Sequence, residues 1–296
     1  MAERTEESLR ADIVEIGRRV HARGYVASND GNISVRLDDG RLLATPTGVS
    51  KGDMTPGMMV VTDMEGRKLS GDRNPSSELL MHLEVYRSRP DVQAVVHAHP
   101  PVATGFAVAG IPLDRAVLAE VVTTLGSIPI AEYGTPSTPE LADAVRTYIR
   151  AHDGLLLANH GALTAGKDLF AAYYKMETIE HFARISLTAR LLGREHLLAR
   201  EEVERLQGLR GTYGIKAPAP ICAEDVPAAG PGAPATCQVL QAPPGGGLRL
   251  VPDEPVLPPP ARRPGAAGMP DEDAEIRLTY RELTALIEEA VRSLKS

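Results

Sequence analysis

Residues 92–109 read VQAVVHAHPPVATGFAVA, an apolar run that ends in two histidines and continues into a second apolar segment. The β-branched residues before His97 favour a short buried strand over 92–97. The segment that follows Pro101 predicts a helix near 102–109, because proline is favoured in the first turn of a helix. This stretch therefore indicates an α/β fold with a His-Ala-His tripeptide where a strand gives way to a helix.

The hydrophobic pattern on both sides extends this α/β body. Apolar residues at helical spacing predict an opening amphipathic helix, and two hairpins turn at residues 38–40 and 64–66. Further along, the pattern predicts one central sheet covered by helices. The predicted later helices are 76–89, 138–151 and 169–192, and the predicted later strands are 128–131 and 155–158.

Composition divides the chain into three parts. Residues 1–216 form the predicted catalytic domain, and residues 217–274 are rich in proline, glycine and alanine, which is typical of a disordered linker. Residues 275–296 predict a short amphipathic helix, with Thr279 and Glu282 as a capping box and an apolar stripe from Leu283 to Leu294. Because an isolated helix of this length is marginal in water, we expect the stripe to contact a partner.

Charge and composition exclude several classes of function. The net charge of −7 and a pI near 5.7 argue against nucleic acid as a partner, because phosphate backbones need clustered Lys and Arg. No apolar run reaches eighteen residues and the N-terminus lacks a signal-like segment, so we expect a cytoplasmic protein without a membrane anchor. Cys222 and Cys237 have no metal-binding spacing, and we assign them no catalytic role.

Three histidines are candidate metal ligands. His97 and His99 project from the same side if the strand continues through them, and His160 follows the apolar strand predicted over 155–158. Three imidazoles leave a tetrahedral zinc ion with one open position, as a catalytic metal requires. The alternative is that these residues only form hydrogen bonds at the surface or in the core.

A second candidate site lies at a predicted helix start. Ser76 and Ser77 follow Pro75, and hydroxyls and free backbone amides at such a position bind anions. Glu78 comes next and is placed between that anion and the metal, although an acidic residue there also stabilises the helix dipole. The turns Asp30-Gly31-Asn32 and Thr47-Gly48 are further candidates for bringing backbone amides to the same anion.

Together these motifs resemble a known family. GNISVR (31–36), TPTG (45–48), PSSE (75–78), HAH (97–99) and NHG (159–161) occur in the order and spacing of the class II aldolase and adducin family. Over about two thirds of the chain the pattern is most similar to fuculose-phosphate aldolases. The resemblance implies a three-layer αβα domain with a central mixed or antiparallel sheet, usually in a homotetramer with active sites at subunit boundaries.

The resemblance also implies a role for each residue. His97, His99 and His160 correspond to the ligands of one zinc ion per subunit, and Glu78 corresponds to an acid/base that also touches the resting metal. The implied reaction cleaves L-fuculose 1-phosphate, or a similar ketose phosphate, to dihydroxyacetone phosphate and an aldehyde such as lactaldehyde. Tyr213, in a Thr-Tyr-Gly string, corresponds to a residue that closes the site. The residues that correspond to phosphate-binding positions are Asn32, Thr47, Gly48, Ser76 and Ser77.

Other members of the family remain alternatives. Ribulose-phosphate 4-epimerases resemble a pattern with Asp in place of Glu78, methylthioribulose-phosphate dehydratases keep both metal and Glu, and adducin is a binding module whose metal ligands are degraded. One departure concerns the aldehyde end of the substrate. A tyrosine that fuculose-phosphate aldolases contribute has no aromatic counterpart in residues 116–120.

The C-terminal segment carries a separate hypothesis. A short amphipathic helix on a Pro/Gly/Ala-rich linker resembles the encapsulation peptides that recruit enzymes into bacterial microcompartments. In this interpretation, residues 275–296 contact shell proteins or co-encapsulated enzymes through the apolar stripe. The alternative is that the helix folds back on its own tetramer or forms a small coiled coil.

Overall fold

The computed structural model describes residues 5–215. The segments predicted as a linker (217–274) and as a terminal helix (275–296) lie outside these residues and remain predictions. The described chain opens with helix α1, Glu6–Ala22, where the Thr5 side chain accepts a hydrogen bond from the Ser8 backbone amide at 3.2 Å. This contact caps the helix and satisfies one of its free amides.

An eight-stranded sheet forms the centre of the fold, in the order β4-β3-β2-β1-β5-β8-β7-β6. Neighbouring strands are antiparallel except β6 and β7, which are parallel. The predicted mixed, largely antiparallel sheet is therefore confirmed. The strands are β1 Asn32–Asp38, β2 Arg41–Ala44, β3 Val60–Asp63, β4 Lys68–Ser70, β5 Ala94–Ala98, β6 Ile130–Ala131, β7 Gly154–Leu157 and β8 Gly161–Gly166.

Helices cover both faces of this sheet. Along β5, Val96 packs with α1, α3 and α6 on one face, whereas Val95 packs with α2 and α5 on the other. Two apolar layers therefore enclose the sheet, and the predicted three-layer architecture is confirmed. Within residues 5–215, the helices after α1 are α2 Leu79–Ser88, α3 Pro101–Val108, α4 Ala119–Thr124, α5 Pro139–Ile149, α6 Leu169–Leu191 and α7 Arg200–Gly208, and a 3₁₀ turn spans Pro56–Met58.

Three elements were not predicted from the sequence. Strand β8 reads GALTAG, whose small residues have weak strand propensity, and it forms because β5 and β7 pair with it on both sides. The short helices α4 and α7 pack on each other around Val122 and Val203, a contact between distant segments. Helix α2 begins at Leu79 rather than at Ser76, because residues 76–78 form a turn in front of it.

In the part of the chain that the structure describes, no helix is both long and apolar enough to cross a bilayer.

Buried His152 predicts a loss of stability in acid. Its Nδ1 donates to the Tyr148 carbonyl at 3.1 Å and its Nε2 accepts from the Ser127 hydroxyl at 3.2 Å, so the ring is held neutral. Burial lowers the pKa of His152 to about 4. Because the unfolded chain takes up this proton near pH 6.5 and the folded chain does not, stability falls as pH decreases from about 6.5 to 4.

This effect reaches up to about 1.4 kcal/mol per pH unit for one histidine. Urea unfolding of the chelator-treated protein at pH 7.5, 6 and 5 should show the decline, and His152→Gln should make it shallower by up to that amount. Buried His82, whose pKa is also lowered by burial to about 4, keeps part of the decline in both proteins. Equal pH slopes for wild type and variant would contradict this account.

Candidate metal centre and active site

The three predicted histidines converge at one end of the sheet. His97 lies in β5, His99 follows the end of that strand, and His160 lies in the turn between β7 and β8. Antiparallel pairing of β5 with β8 sets Ala98 opposite Ala162, which brings this turn beside the tripeptide. Their ring centroids are 4.7 to 5.0 Å apart, and one nitrogen from each lies within 4.8 Å of the others.

Hydrogen bonds fix the orientation of two of these rings. His97 Nδ1 donates to the Ala162 carbonyl at 2.9 Å, so its Nε2 carries the lone pair. That Nε2 is 3.1 Å from His99 Nε2, while His99 Nδ1 faces the Asp30 carboxylate at 3.4 Å. Burial lowers the pKa of both His97 and His99, which favours the neutral, metal-binding form. Converging imidazole nitrogens fit zinc, and also manganese, cobalt or iron.

Glu78 completes the cluster from the turn before α2. Its Oε1 is 3.0 Å from His160 Nε2, its Oε2 is 3.5 Å from His97 Nε2, and the Asn32 side-chain amide donates to Oε2 at 2.8 Å. Burial raises the pKa of Glu78, but the hydrogen bond from His160, electrostatic interaction with His97 and His160, and the hydrogen bond from Asn32 outweigh burial and lower this pKa to about 2. The carboxylate is therefore ionised at neutral pH, beside the predicted metal position.

The segments predicted to bind phosphate lie next to one another. The Ser76 amide donates to the Thr45 carbonyl at 3.2 Å, and the Thr47 amide donates to the Asn74 carbonyl at 3.0 Å. Thr47, Gly48 and Ser77 are exposed along this rim, and the space where a Gly48 side chain would start is open. Asn32 lies opposite His97 in the sheet. Contact of these residues with phosphate remains a prediction.

Two glycines make room for the histidines. A Cβ at Gly161 would lie 2.6 Å from both the Ala98 carbonyl oxygen and His99 Cδ2. Gly31 has a φ of +73°, and a Cβ there would lie 2.9 Å from the His97 carbonyl oxygen. The sequence motifs include both glycines, but their steric role depends on strand pairing and could not be read from the sequence.

Tyr213 is not brought to this cluster within one chain. It lines a cleft with Asp153, Gly166 and Lys175. Asp153 directly precedes β7 and Gly166 ends β8, whereas His160 lies beyond the other end of both strands. A role for Tyr213 in closing the site would therefore require a second chain, as the predicted homotetramer would supply.

We expect Gly161→Ala to weaken metal binding about 10- to 100-fold, the range seen when the surroundings of a ligand are disturbed. The added methyl group would meet the Ala98 carbonyl and displace the His99 ring. Competition with a chromophoric chelator measures the affinity. Gly208→Ala, whose methyl group would meet nothing within 4 Å, is the matched control. Equal metal affinity for both variants would show that this close approach does not shape the site.

Comparison with known proteins identifies the family of this chain. The model of the class II aldolase and adducin N-terminal domain matches residues 11–187. The 3-oxo-tetronate 4-phosphate decarboxylase of Pectobacterium atrosepticum is 35% identical over 185 residues, covering 61% of this chain and 84% of that protein. An L-fuculose phosphate aldolase from Methanococcus maripaludis is 35% identical over 176 residues, covering 59% of this chain and 94% of that protein.

A solved structure shows the same fold. YgbL from Klebsiella pneumoniae superposes with a TM-score of 0.64 at 34% identity, and the match covers 69% of this chain and 99% of that protein. The matched part of this chain contains the three histidines and Glu78. The chain therefore belongs to the class II aldolase and adducin family.

Proposed function

We propose that this protein is a metal-dependent lyase that breaks a carbon–carbon bond in a small phosphorylated ketose. The proposed substrate is L-fuculose 1-phosphate or a similar ketose phosphate, and the products are dihydroxyacetone phosphate and an aldehyde such as lactaldehyde. The observation that carries the proposal is the Glu78 carboxylate, held 3.0 Å from His160 Nε2 and 3.5 Å from His97 Nε2.

The three histidines would hold one zinc ion, which supplies a Lewis acid for the carbonyl and hydroxyl oxygens of the substrate when bound. Glu78 moves the proton. When the bond between C3 and C4 breaks, the C4 hydroxyl loses its proton as it becomes the aldehyde, and the electron pair of the broken bond stays on C3 of the phosphate fragment. Glu78 takes up the proton released from the hydroxyl and delivers a proton to C3. In the reverse direction the ionised carboxylate removes the same proton. The hydrogen bond from Asn32 fixes the carboxylate for this transfer.

Other side chains bind the substrate. The rim formed by Thr47, Gly48, Ser76 and Ser77 would bind the phosphate group, through hydroxyls and backbone amides. Asn32 Oδ1 is buried and has no hydrogen-bond partner within residues 5–215, so it can accept a hydrogen bond from a substrate hydroxyl. Both contacts would place the reacting carbon beside Glu78.

Decarboxylation of 3-oxo-tetronate 4-phosphate is a second candidate reaction. It is favoured by the 35% identity to the decarboxylase of Pectobacterium atrosepticum and by the lack of an aromatic residue in 116–120. Loss of carbon dioxide leaves an electron pair on the same carbon of the same three-carbon phosphate. Carbon dioxide leaves without exchanging a proton with the protein, whereas the aldehyde forms from a hydroxyl that must lose one. Glu78 would therefore serve both reactions, and the leaving group distinguishes them.

The remaining alternatives are less well supported. A 4-epimerase resembles a pattern with Asp at position 78, and this chain has Glu. A methylthioribulose-phosphate dehydratase would use the same cluster and form no dihydroxyacetone phosphate. An adducin-like binding module would not need three converging imidazoles beside a carboxylate.

Product analysis tests the proposal. The purified protein is incubated separately with L-fuculose 1-phosphate and with 3-oxo-tetronate 4-phosphate, with and without a chelator, and dihydroxyacetone phosphate, lactaldehyde and carbon dioxide are measured individually. Lactaldehyde that appears with dihydroxyacetone phosphate and is lost on chelation supports the aldolase. Carbon dioxide in its place supports the decarboxylase. Absence of dihydroxyacetone phosphate from both substrates, with metal bound, contradicts both reactions.

The C-terminal recruitment hypothesis has its own test. We expect a protein truncated after Lys216 to keep its lyase activity and to lose co-purification with microcompartment shell proteins, because the apolar stripe of residues 275–296 would be missing. Size-exclusion chromatography of both forms reports whether the homotetramer survives. Loss of activity on truncation would favour the alternative, in which the helix packs on its own tetramer.

A further inference from the structure

Lys51 is a buried cation that the proposed reaction does not use. The whole residue is 1% exposed, and its Nζ donates to the backbone carbonyls of Asn29 at 3.0 Å and Val49 at 2.8 Å. Within residues 5–215 this ammonium group forms no ion pair with a carboxylate. A charge in such a position is costly unless something else compensates it.

The two carbonyls lie directly beside the two turns predicted to bind phosphate. Asn29 precedes the Asp30-Gly31-Asn32 turn, and Val49 directly follows Thr47-Gly48. Both turns contain a glycine in the left-handed region, Gly31 at +73° and Gly48 at +70°. Lys51 therefore links two turns whose tips, around Asn29 and Gly48, are exposed.

The balance of charge at the predicted phosphate site points to a function for Lys51. The residues predicted to contact the phosphate, Asn32, Thr47, Gly48, Ser76 and Ser77, are all neutral, whereas a phosphate monoester carries close to two negative charges at neutral pH. The nearest carboxylates have other contacts: Asp30 faces His99, and Glu78 faces His160 and Asn32. Burial lowers the pKa of Lys51 to about 8, against the raising effect of Asp30 and Glu78, so a bound anion would favour its charged form.

We propose that Lys51 is a positioning residue that selects phosphorylated substrates, by holding the two turns together and placing one positive charge beneath their exposed rim. This inference rests on the proposed function, because it concerns the phosphate end of the same substrate. Lys51 does not contact the reacting carbon. Its contribution is made before the chemical step, when the phosphate group binds.

Phosphate binding to the metal-free protein tests this role without any turnover. Inorganic phosphate is titrated calorimetrically into chelator-treated protein, since a bound metal would itself attract the anion. Wild type is expected to bind phosphate saturably, and Lys51→Met is expected to bind it roughly 10- to 100-fold more weakly, as the loss of one nearby unit charge predicts. Lys51→Gln keeps a hydrogen-bond donor without the charge, and it replaces Lys51→Met if that variant does not fold.

Lys175→Met is the matched control. Lys175 is partly buried, and its Nζ donates to the Asp153 carboxylate at 2.7 Å and to the Ala165 carbonyl at 2.9 Å, at the other end of β8 from the histidines. We expect this variant to bind phosphate as wild type does. With an active substrate and metal present, Lys51→Met should raise KM by a similar factor while kcat stays within about threefold, a pattern that general damage to the site would not give.

The inference is overturned if Lys51→Met binds phosphate as tightly as wild type, if Lys175→Met loses as much affinity, or if wild type shows no saturable phosphate binding. Failure of the proposed function gives a different result. If phosphate binding depends on Lys51 but neither candidate substrate is cleaved, the assigned reaction is wrong and the phosphate site stands.

Discussion

Glu78→Gln is expected to lower kcat about 100- to 10,000-fold, the usual contribution of a positioned acid/base, while the protein keeps its metal. The amide has nearly the same shape and can still accept the hydrogen bond from Asn32, which the wild-type carboxylate receives at 2.8 Å. It cannot exchange a proton with carbon. Steady-state kinetics and metal analysis on the same samples separate the loss of chemistry from loss of the ion.

Asn32→Ala is an informative companion to this variant. It removes the group that orients Glu78 but leaves the carboxylate in place, so we expect a smaller loss of kcat than in Glu78→Gln. If Glu78→Gln retained more than a tenth of wild-type kcat with full metal content, Glu78 would not be the principal proton carrier.

His97→Ala is expected to abolish stoichiometric metal binding and, with it, the lyase activity. His97 is the most buried of the three predicted ligands, and its Nδ1 is already committed to the Ala162 carbonyl. Its removal leaves two of the three converging imidazoles, whereas a catalytic zinc site uses three protein ligands. Metal content after dialysis and activity with added zinc measure the effect.

Stability provides a second readout for the same variant. A metal that binds only the folded protein stabilises it by about 2.7 kcal/mol when its concentration is a hundred times the dissociation constant. Adding zinc should therefore raise the unfolding temperature of wild type and not that of His97→Ala. His181→Ala, at an exposed position on α6, is the matched control and should behave as wild type. Equal stabilisation of all three proteins by zinc would place the metal elsewhere.

Much of the fold could be predicted from local patterns. The opening helix, both hairpins and the long α6 follow from apolar periodicity and turn residues that act within short segments. Strand β8 could not be predicted, because GALTAG carries little intrinsic preference and forms a strand by pairing between β5 and β7. Helices α4 and α7 likewise depend on packing between residues about 80 positions apart, such as Val122 and Val203.

The sequence predicted the residues of the site better than it predicted the residues that position them. Residue types and family-like spacing identified His97, His99, His160 and Glu78, and the fold brings these four together. The requirement for glycine at 161 and the buried position of Lys51 depend on close approaches across the sheet and between turns, which leave no periodic signal in the sequence. Within one chain Tyr213 lines a different cleft, so a role in the site would require the predicted homotetramer.

The central claim is that Glu78 moves a proton at a carbon of a three-carbon phosphate that binds beside the histidines. Its most direct test is hydrogen exchange into dihydroxyacetone phosphate in deuterium oxide, followed by proton NMR, because this step does not depend on the leaving group. We predict replacement of one hydroxymethyl hydrogen by deuterium with the zinc-loaded wild type, and none after chelation or with Glu78→Gln. Absence of exchange by zinc-loaded protein that binds dihydroxyacetone phosphate would contradict the account.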